Sequence, residues 1–305
     1  MNRRDFITTT LVSGLAAMAT GSVFSKNAKS AEAGRAFKLK YAPHLGMFKN
    51  HAGDDPLAQL RFMADQGFTA FEDNGMSDRD VALQAKMAKT MQDMGLQMGV
   101  FVAHKIYWSE ANLTSGKQDL RDEFLSGIRQ SVEVAKRVHA TWMTVVPGHV
   151  DLRLEMDFQT ANVVEALKRA CDILEPHGLV MVLEPLNFRD HPGLFLKKIS
   201  QAYQICKAVG SPSCKILDDL YHQQVSEGNL IPNMDAAWDE IAYFQIGDNP
   251  GRKEPTTGEI NYRNVFKHIH DKGYTGLLGM EHGNSKQGKE GEQALINAYI
   301  EVDSF

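Results

Sequence analysis

The sequence has little cysteine, no surplus of positive charge and no long apolar run. Its three cysteines, Cys171, Cys206 and Cys214, cannot make a disulfide framework. A Cys206–Cys214 bridge stays open, but buried thiols of this kind are usually inert core residues. Lys and Arg number 33 against 38 Asp and Glu, a formal net charge of −5. That balance gives no reason to expect nucleic acid or an anionic membrane as a partner. The apolar stretches fall short of the ~20 residues a spanning helix needs, so no stable membrane anchor is expected. No Gly-rich fingerprint follows the first β-like run, which speaks against an open dinucleotide-binding sheet. No internal repeat or low-complexity tract is present.

What is there begins with a distinctive leader. "MNRRDFITTT" sets Arg3–Arg4 ahead of Phe6 and Ile7, and the small-residue run "LVSGLAAMATGSVF" follows. "NAKSAEAG" then offers cleavage after Ala31 or Ala33. Residues 1–33 read as an export signal of the twin-arginine type, which would send the mature protein to the periplasm or otherwise out of the cytoplasm. The bland alternative is an amphipathic leader kept on the mature chain.

From residue 36 to 305, β-like runs alternate with helical patterns. The runs are "LKYAP", "FTAFED", "QMGVFVAH", "TWMTVVPG", "LVMVLEP", "CKILDD", "IAYFQIGD" and "GLLGMEHG". Most are continuous rather than alternating, as strands buried on both faces should be. Between them, "DDPLAQLRFMADQG" has Asp54 or Asp55 to cap a helix and Gly67 to end it. "RDEFLSGIRQSVEVAKRVHA" and "ANVVEALKRACDILEPHG" carry apolar residues at helical spacing. Eight such pairs predict a single-domain (β/α)₈ TIM barrel, α/β in class, of about the usual ~250 residues.

In such a barrel, chemistry belongs at the C-terminal ends of the strands. Glu184 ends the fifth run, Asp218 and Asp219 the sixth, Glu281 the eighth, and Gln245 lies on the seventh. Glu72 and Asp73 end the second and His104 the third. A carboxylate left there unpaired is costly, and one alone would be read as a helix cap. Several acids and an amide converging on one mouth suit a hard divalent ion, Mg²⁺ or Mn²⁺.

"LEPLN", "LDDLYHQQ", "FQIGDNPGRKEPTTGEINY" and "GMEHG", in that order, resemble the hydroxypyruvate isomerase family, within the xylose isomerase-like barrels. The resemblance runs from about Leu39 to Gly283 and is most specific in the "PGR-EP-TGEINY" stretch. It implies one divalent metal held by Glu184, Asp219, Gln245 and Glu281, with Asp219 chosen over Asp218 because His222 follows it by three. It implies that Glu184 and Glu281 form the acid/base pair of an enediolate proton transfer, and that His222 and Arg252 contact substrate. The bland readings are a satisfied mouth histidine for His222, and for Arg252 a surface ion pair with Glu254 or Glu259. His104 and Glu254 are further candidates to line the substrate pocket. A Gln at 245 is typical of the hydroxypyruvate isomerase branch, while His282 stands where that branch commonly has an aromatic such as Tyr. The implied substrate is a small carbonyl sugar or hydroxy-keto acid, hydroxypyruvate or an analogue. An address outside the cytoplasm fits less well with that metabolite. It keeps open an epimerase or lyase acting on a keto-sugar or keto-glycoside, and a non-enzymatic sugar- or metal-binding barrel.

Overall fold

A computed structural model describes residues 37–305, and the candidate export signal lies outside the described residues. The eight expected β-runs become eight parallel strands, each followed by helix. They are β1 (Lys40–Ala42), β2 (Ala70–Phe71), β3 (Gln97–Met98), β4 (Trp142–Val145), β5 (Val180–Leu183), β6 (Cys214–Asp219), β7 (Ile241–Gln245) and β8 (Leu277–Gly279). The helices are α1 (Lys49–Ala52) and α2 (Pro56–Asp65) after β1, α3 (Val81–Met94) after β2, and α4 (Gln118–Val138) after β3. Then come α5 (Met156–Leu174), α6 (Ile199–Val209), the pair α7 (Leu220–Ser226) and α8 (Leu230–Ala237), α9 (Tyr262–Asp271) and α10 (Gly288–Val302). Among the described residues, no helix is long and apolar enough to cross a membrane.

The strands close into a barrel. Continuous ladders run β1-β8-β7-β6-β5-β4, and β2 pairs separately with β3. Two thin seams join that pair to the rest. Glu72 N–H donates to the Pro43 carbonyl at 3.1 Å, and across the β3–β4 gap Thr144 N–H donates to the Phe101 carbonyl at 2.8 Å while Ala103 N–H donates to the Thr144 carbonyl at 3.0 Å. The helix boundaries follow local chemistry. Asp55, not Asp54, caps α2 by accepting from Leu57 N–H. α4 buries Phe124, Leu125, Ile128, Val132, Ala135 and Val138, one face at the expected spacing.

The core has two layers. Ala42, Ala70, Val100, Val182, Leu217, Tyr243 and Leu277 fill the barrel lumen. Phe71, Leu183, Phe244, Leu278 and Met280 belong to the larger core shared with the surrounding helices. Side chains alternate along a strand, so these two sets tell which way every later residue points. All three cysteines are buried and free.

Candidate active site at the barrel mouth

The lumen residues predict the mouth. Two residues beyond Ala70, Val182, Leu217 and Tyr243 come Glu72, Glu184, Asp219 and Gln245, and four beyond Leu277 comes Glu281. All five share the inward parity. Asp218 pairs in register with outward-facing Phe244. It is fully buried, both its oxygens lack a partner, and burial pushes its carboxyl well up. His282 also has the outward parity. Its Nε2 meets the Tyr299 hydroxyl at 2.8 Å and its Nδ1 the Gly283 carbonyl at 3.1 Å. The departure from the family pattern at 282 therefore faces α10, not the wall beside Glu281.

Arg252 ties the acids together. Its Nη2 donates to Asp219 Oδ2 at 2.7 Å and to Glu281 Oε2 at 2.9 Å. Glu281 Oε1 also accepts from Asn74 Nδ2 at 2.9 Å. Burial would raise Asp219, but His222, Arg252 and the His222 and Tyr221 backbone N–H groups outweigh it and hold the carboxyl low. Burial dominates at Glu281 despite Arg252, and its carboxyl is pushed up to about 7. Burial, then Glu281 and Asp219, push Glu184 well up. Three neighbouring carboxyls thus have divergent proton affinities, the arrangement from which acid and base roles are built.

The surface pairing considered for Arg252 is not formed. Glu254 is committed to Ser285, accepting from its backbone N–H at 2.8 Å and from its hydroxyl. It is buried and pins the loop to the segment after β8, which corrects its candidacy for substrate contact. Glu259 accepts from Asn249 Nδ2 and Gln224 Nε2. The organiser of the loop is Asp248, which the sequence did not single out for a role. Its buried carboxylate accepts from the backbone N–H groups of Asn249, Gly258 and Ile260 at 2.8–3.1 Å. This folds the chain back so that Arg252 enters the mouth over the Tyr221 ring.

His104 is also committed. Its Nδ1 donates to the Lys105 carbonyl at 2.8 Å and its Nε2 accepts from Val146 N–H at 3.3 Å. Burial pushes it down to about 4. Neither nitrogen remains for substrate, so its contribution is the ring surface alone.

The protonation of His222 follows from its neighbours. Asn187 Oδ1 accepts from the Arg189 and Asp190 backbone N–H groups, which fixes the amide orientation. Its Nδ2 then donates to Asp190 Oδ2 and to His222 Nδ1, the latter at 2.7 Å. Asn187 N–H donates to the same Nδ1 at 3.3 Å. An atom facing two donors must accept, so the imidazole proton sits on Nε2. Burial pushes the ring down to about 4, keeping it neutral. The Nε2–H is buried without a partner, 3.8 Å from Glu184 Oε1 and 3.7 Å from Asp219 Oδ2. Nitrogen NMR should show His222 as the Nε2–H tautomer near neutral pH. Asn187→Asp, which sets a carboxylate against Nδ1, should move that proton and raise the imidazole pKa by ~1 unit or more. An Nδ1–H tautomer in the unmodified protein would sink this assignment.

Glu72 orients the amide. Tyr243 hydroxyl donates to its Oε2 at 3.0 Å, and Gln245 Nε2 donates to its carboxylate at 3.4–3.5 Å. With Nε2 facing a carboxylate, Gln245 Oε1 must face the other way, and it is buried with no partner. Gly279 makes room for this, since a Cβ there would lie 1.9 Å from Glu72 Oε2.

These groups fit a hard divalent ion. Glu184, Asp219 and His222 offer atoms within 4.8 Å of one another. His222 presents a proton rather than a lone pair, which leaves oxygen donors from Glu184, Asp219, Glu281 and the unpartnered Gln245 Oε1. An all-oxygen set of this kind suits Mg²⁺ or Mn²⁺.

A closed parallel barrel with ionisable groups at its C-terminal mouth is the architecture of the TIM-barrel enzymes. Residues 60–299 match the family described as xylose isomerase-like TIM barrel, and the chain belongs to that family. The chain is 34% identical over 161 residues to the hydroxypyruvate isomerase of Escherichia coli (strain K12), a match spanning 53% of this chain and 62% of that protein. It is 28% identical over 245 residues to a 2-oxo-tetronate isomerase of Cupriavidus necator, spanning 80% of this chain and 92% of the relative. In solved structures, an AP endonuclease, family 2, from Brucella melitensis shares the fold with a TM-score of 0.73 at 24% identity, over 83% of this chain and 96% of that one.

Proposed function

We propose that the protein is a divalent-metal-dependent isomerase that moves a proton from a hydroxyl-bearing carbon to the adjacent carbonyl carbon, so that hydroxyl and carbonyl exchange places through an enediolate, in the manner of the hydroxypyruvate isomerases. The substrate is a hydroxy-keto compound, hydroxypyruvate or an analogue. The observation that carries this reading is the set of inward acids Glu184, Asp219 and Glu281 at one mouth, faced by two donors, Arg252 and the Nε2–H of His222. The relatives named as isomerases support it.

A divalent ion, when bound by Glu184, Asp219, Gln245 and Glu281, supplies positive charge beside the carbonyl and acidifies the neighbouring C–H. The chain supplies the rest. Glu281, held in the mouth by Asn74 and Arg252, is placed to take the proton. Glu184 is the second carrier, returning the proton at the adjacent carbon. The Nε2–H of His222 donates to the oxygen that gains charge as the proton leaves. Arg252 offers its guanidinium to a substrate carboxylate or hydroxyl. Asp219 keeps its charge throughout. The export reading rests on the sequence of residues 1–33 alone.

The test is proton exchange. The Mn²⁺- or Mg²⁺-loaded protein in D₂O, given a panel of keto acids, ketoses and keto-glycosides, should place deuterium next to the carbonyl of at least one compound. Chelation should stop it. Metal-independent exchange, or none across the panel with metal bound, would overturn the proposal.

A further inference from the structure

We propose that Asp190, at the rim of the mouth, is a positioning residue that sets the spacing between the two donors facing the acids, the Nε2–H of His222 and the guanidinium of Arg252. This rests on the proton-transfer reading above, which gives both donors their work.

One oxygen makes the connection. Asp190 Oδ2 accepts from Asn187 Nδ2 at 2.9 Å and from the Tyr221 hydroxyl at 2.7 Å. A carboxylate oxygen has the lone pairs to take both. On the first arm, the same Asn187 amide donates its other hydrogen to His222 Nδ1 at 2.7 Å. On the second arm, the Tyr221 ring lies under the Arg252 guanidinium, with its centroid 5.1 Å from Cζ. Asn187 foremost, and then Tyr221, hold the Asp190 carboxyl low against the burial that would raise it, so the anion persists at neutral pH. Burial and then Asp190 push the Tyr221 phenol up to about 12, so it remains a donor.

The helix does not set this spacing by itself. Tyr221 and His222 are consecutive in α7, and consecutive helical side chains leave the axis ~100° apart. Their rings still lie 5.3 Å apart, and Asp190 ties both to a single turn. That turn runs from Asn187 to His191 and is closed by His191 N–H on the Asn187 carbonyl at 3.0 Å. It also sets the His191 ring edge-on to His222, 5.4 Å between centroids. The loop after β5 thus grips His222 from two sides and the platform of Arg252 from a third, with the Asp190 carboxylate as the joint.

Its place separates this role from stability. Asp190 is exposed, whereas Asn187, Tyr221 and His222 are buried. Removing an exposed carboxylate takes little from a core. Each of its two partners, however, touches a group that meets substrate. A displacement of about 1 Å at such a group can cost ~10²-fold in rate.

The experiment sets Asp190→Ala beside Tyr221→Phe, which keeps the ring and removes the hydroxyl. Asp190→Ala loosens His222 and Arg252 together. It should lower kcat about tenfold and raise KM about tenfold, with Tm within about 2 °C of the parent. Tyr221→Phe loosens the Arg252 arm alone, and should raise KM about threefold with kcat nearly unchanged. In the double variant, Tyr221→Phe should add nothing to Asp190→Ala. Asp190→Asn keeps an acceptor oxygen and should restore most of kcat. Nitrogen NMR of the full chain without substrate gives a readout independent of turnover. The His222 Nδ1 resonance should shift in Asp190→Ala and hold its place in Tyr221→Phe. An unmoved His222 resonance in Asp190→Ala, or additive losses in the double variant, would overturn the proposal. A loss confined to KM with that resonance unmoved would make Asp190 a substrate contact instead. If no compound is turned over, the isomerase reading fails, and the NMR result decides the role of Asp190 alone.

Discussion

Glu184→Gln and Glu281→Gln should each lower kcat by ~10³-fold or more, without loss of fold. The substitution keeps shape and hydrogen-bonding size and removes only the ability to exchange a proton and carry charge. Both residues sit at the ends of strands whose packing is made by Val182, Leu183, Leu277 and Leu278, so the barrel does not depend on them. The thermal behaviour should separate the two. Glu184 is held among like charges, with burial, Glu281 and Asp219 all opposing its ionisation. In chelator-treated protein, Glu184→Gln removes that repulsion and should raise Tm. Glu281→Gln also takes a partner from Arg252, which offsets the gain. Steady-state rates with circular-dichroism melting check both. Activity within tenfold of the parent for either variant would remove that residue from the reaction.

Gly279→Ala should destabilise the protein by about 3 kcal/mol or more, although it adds one methyl group. The new Cβ would fall 1.9 Å from Glu72 Oε2 and 2.4 Å from its Cδ. Gly99 is a second position where a side chain would meet this group, since a Cβ there would lie 3.1 Å from Glu72 Cβ and 2.4 Å from the Tyr243 hydroxyl. Glu72→Ala creates the missing space but releases Gln245. The double variant Gly279→Ala/Glu72→Ala should therefore recover stability relative to Gly279→Ala while metal affinity stays low. A double-mutant cycle by urea unfolding, with Mn²⁺ titration alongside, reads both effects. Simple additivity in stability would show that the two sites do not share the space.

The barrel was legible because strands buried on both faces are largely apolar, and most of the eight runs were continuous in that way. The inward acids were legible for the complementary reason, since a carboxylate at the end of an apolar run needs a purpose. What stayed hidden is which polar groups spend their hydrogen bonds on each other. His104 and Glu254 are as polar in the sequence as His222 and Arg252, yet backbone groups and Ser285 absorb them. Asn74 reaches Glu281 across 207 positions and Glu72 reaches Gln245 across 173, distances over which a sequence carries no local sign of contact. Asn187 lay inside the "LEPLN" motif, and its turn chemistry was the available clue. Asp248 was equally visible, one residue before Asn249–Pro250, where a carboxylate that collects backbone N–H groups is common.

Asp219 carries one last consequence. Its Oδ1 caps α7, accepting from Tyr221 and His222 N–H at 2.8 and 3.2 Å, and only Oδ2 turns toward Arg252. The carboxylate cannot rotate to offer both oxygens without unwinding the helix that presents His222. Its rotamer entropy is surrendered when the chain folds, before any ion or substrate arrives. A cation entering the mouth thus meets a ligand already immobilised by a helix start. Association and release should then proceed without rearrangement at that position.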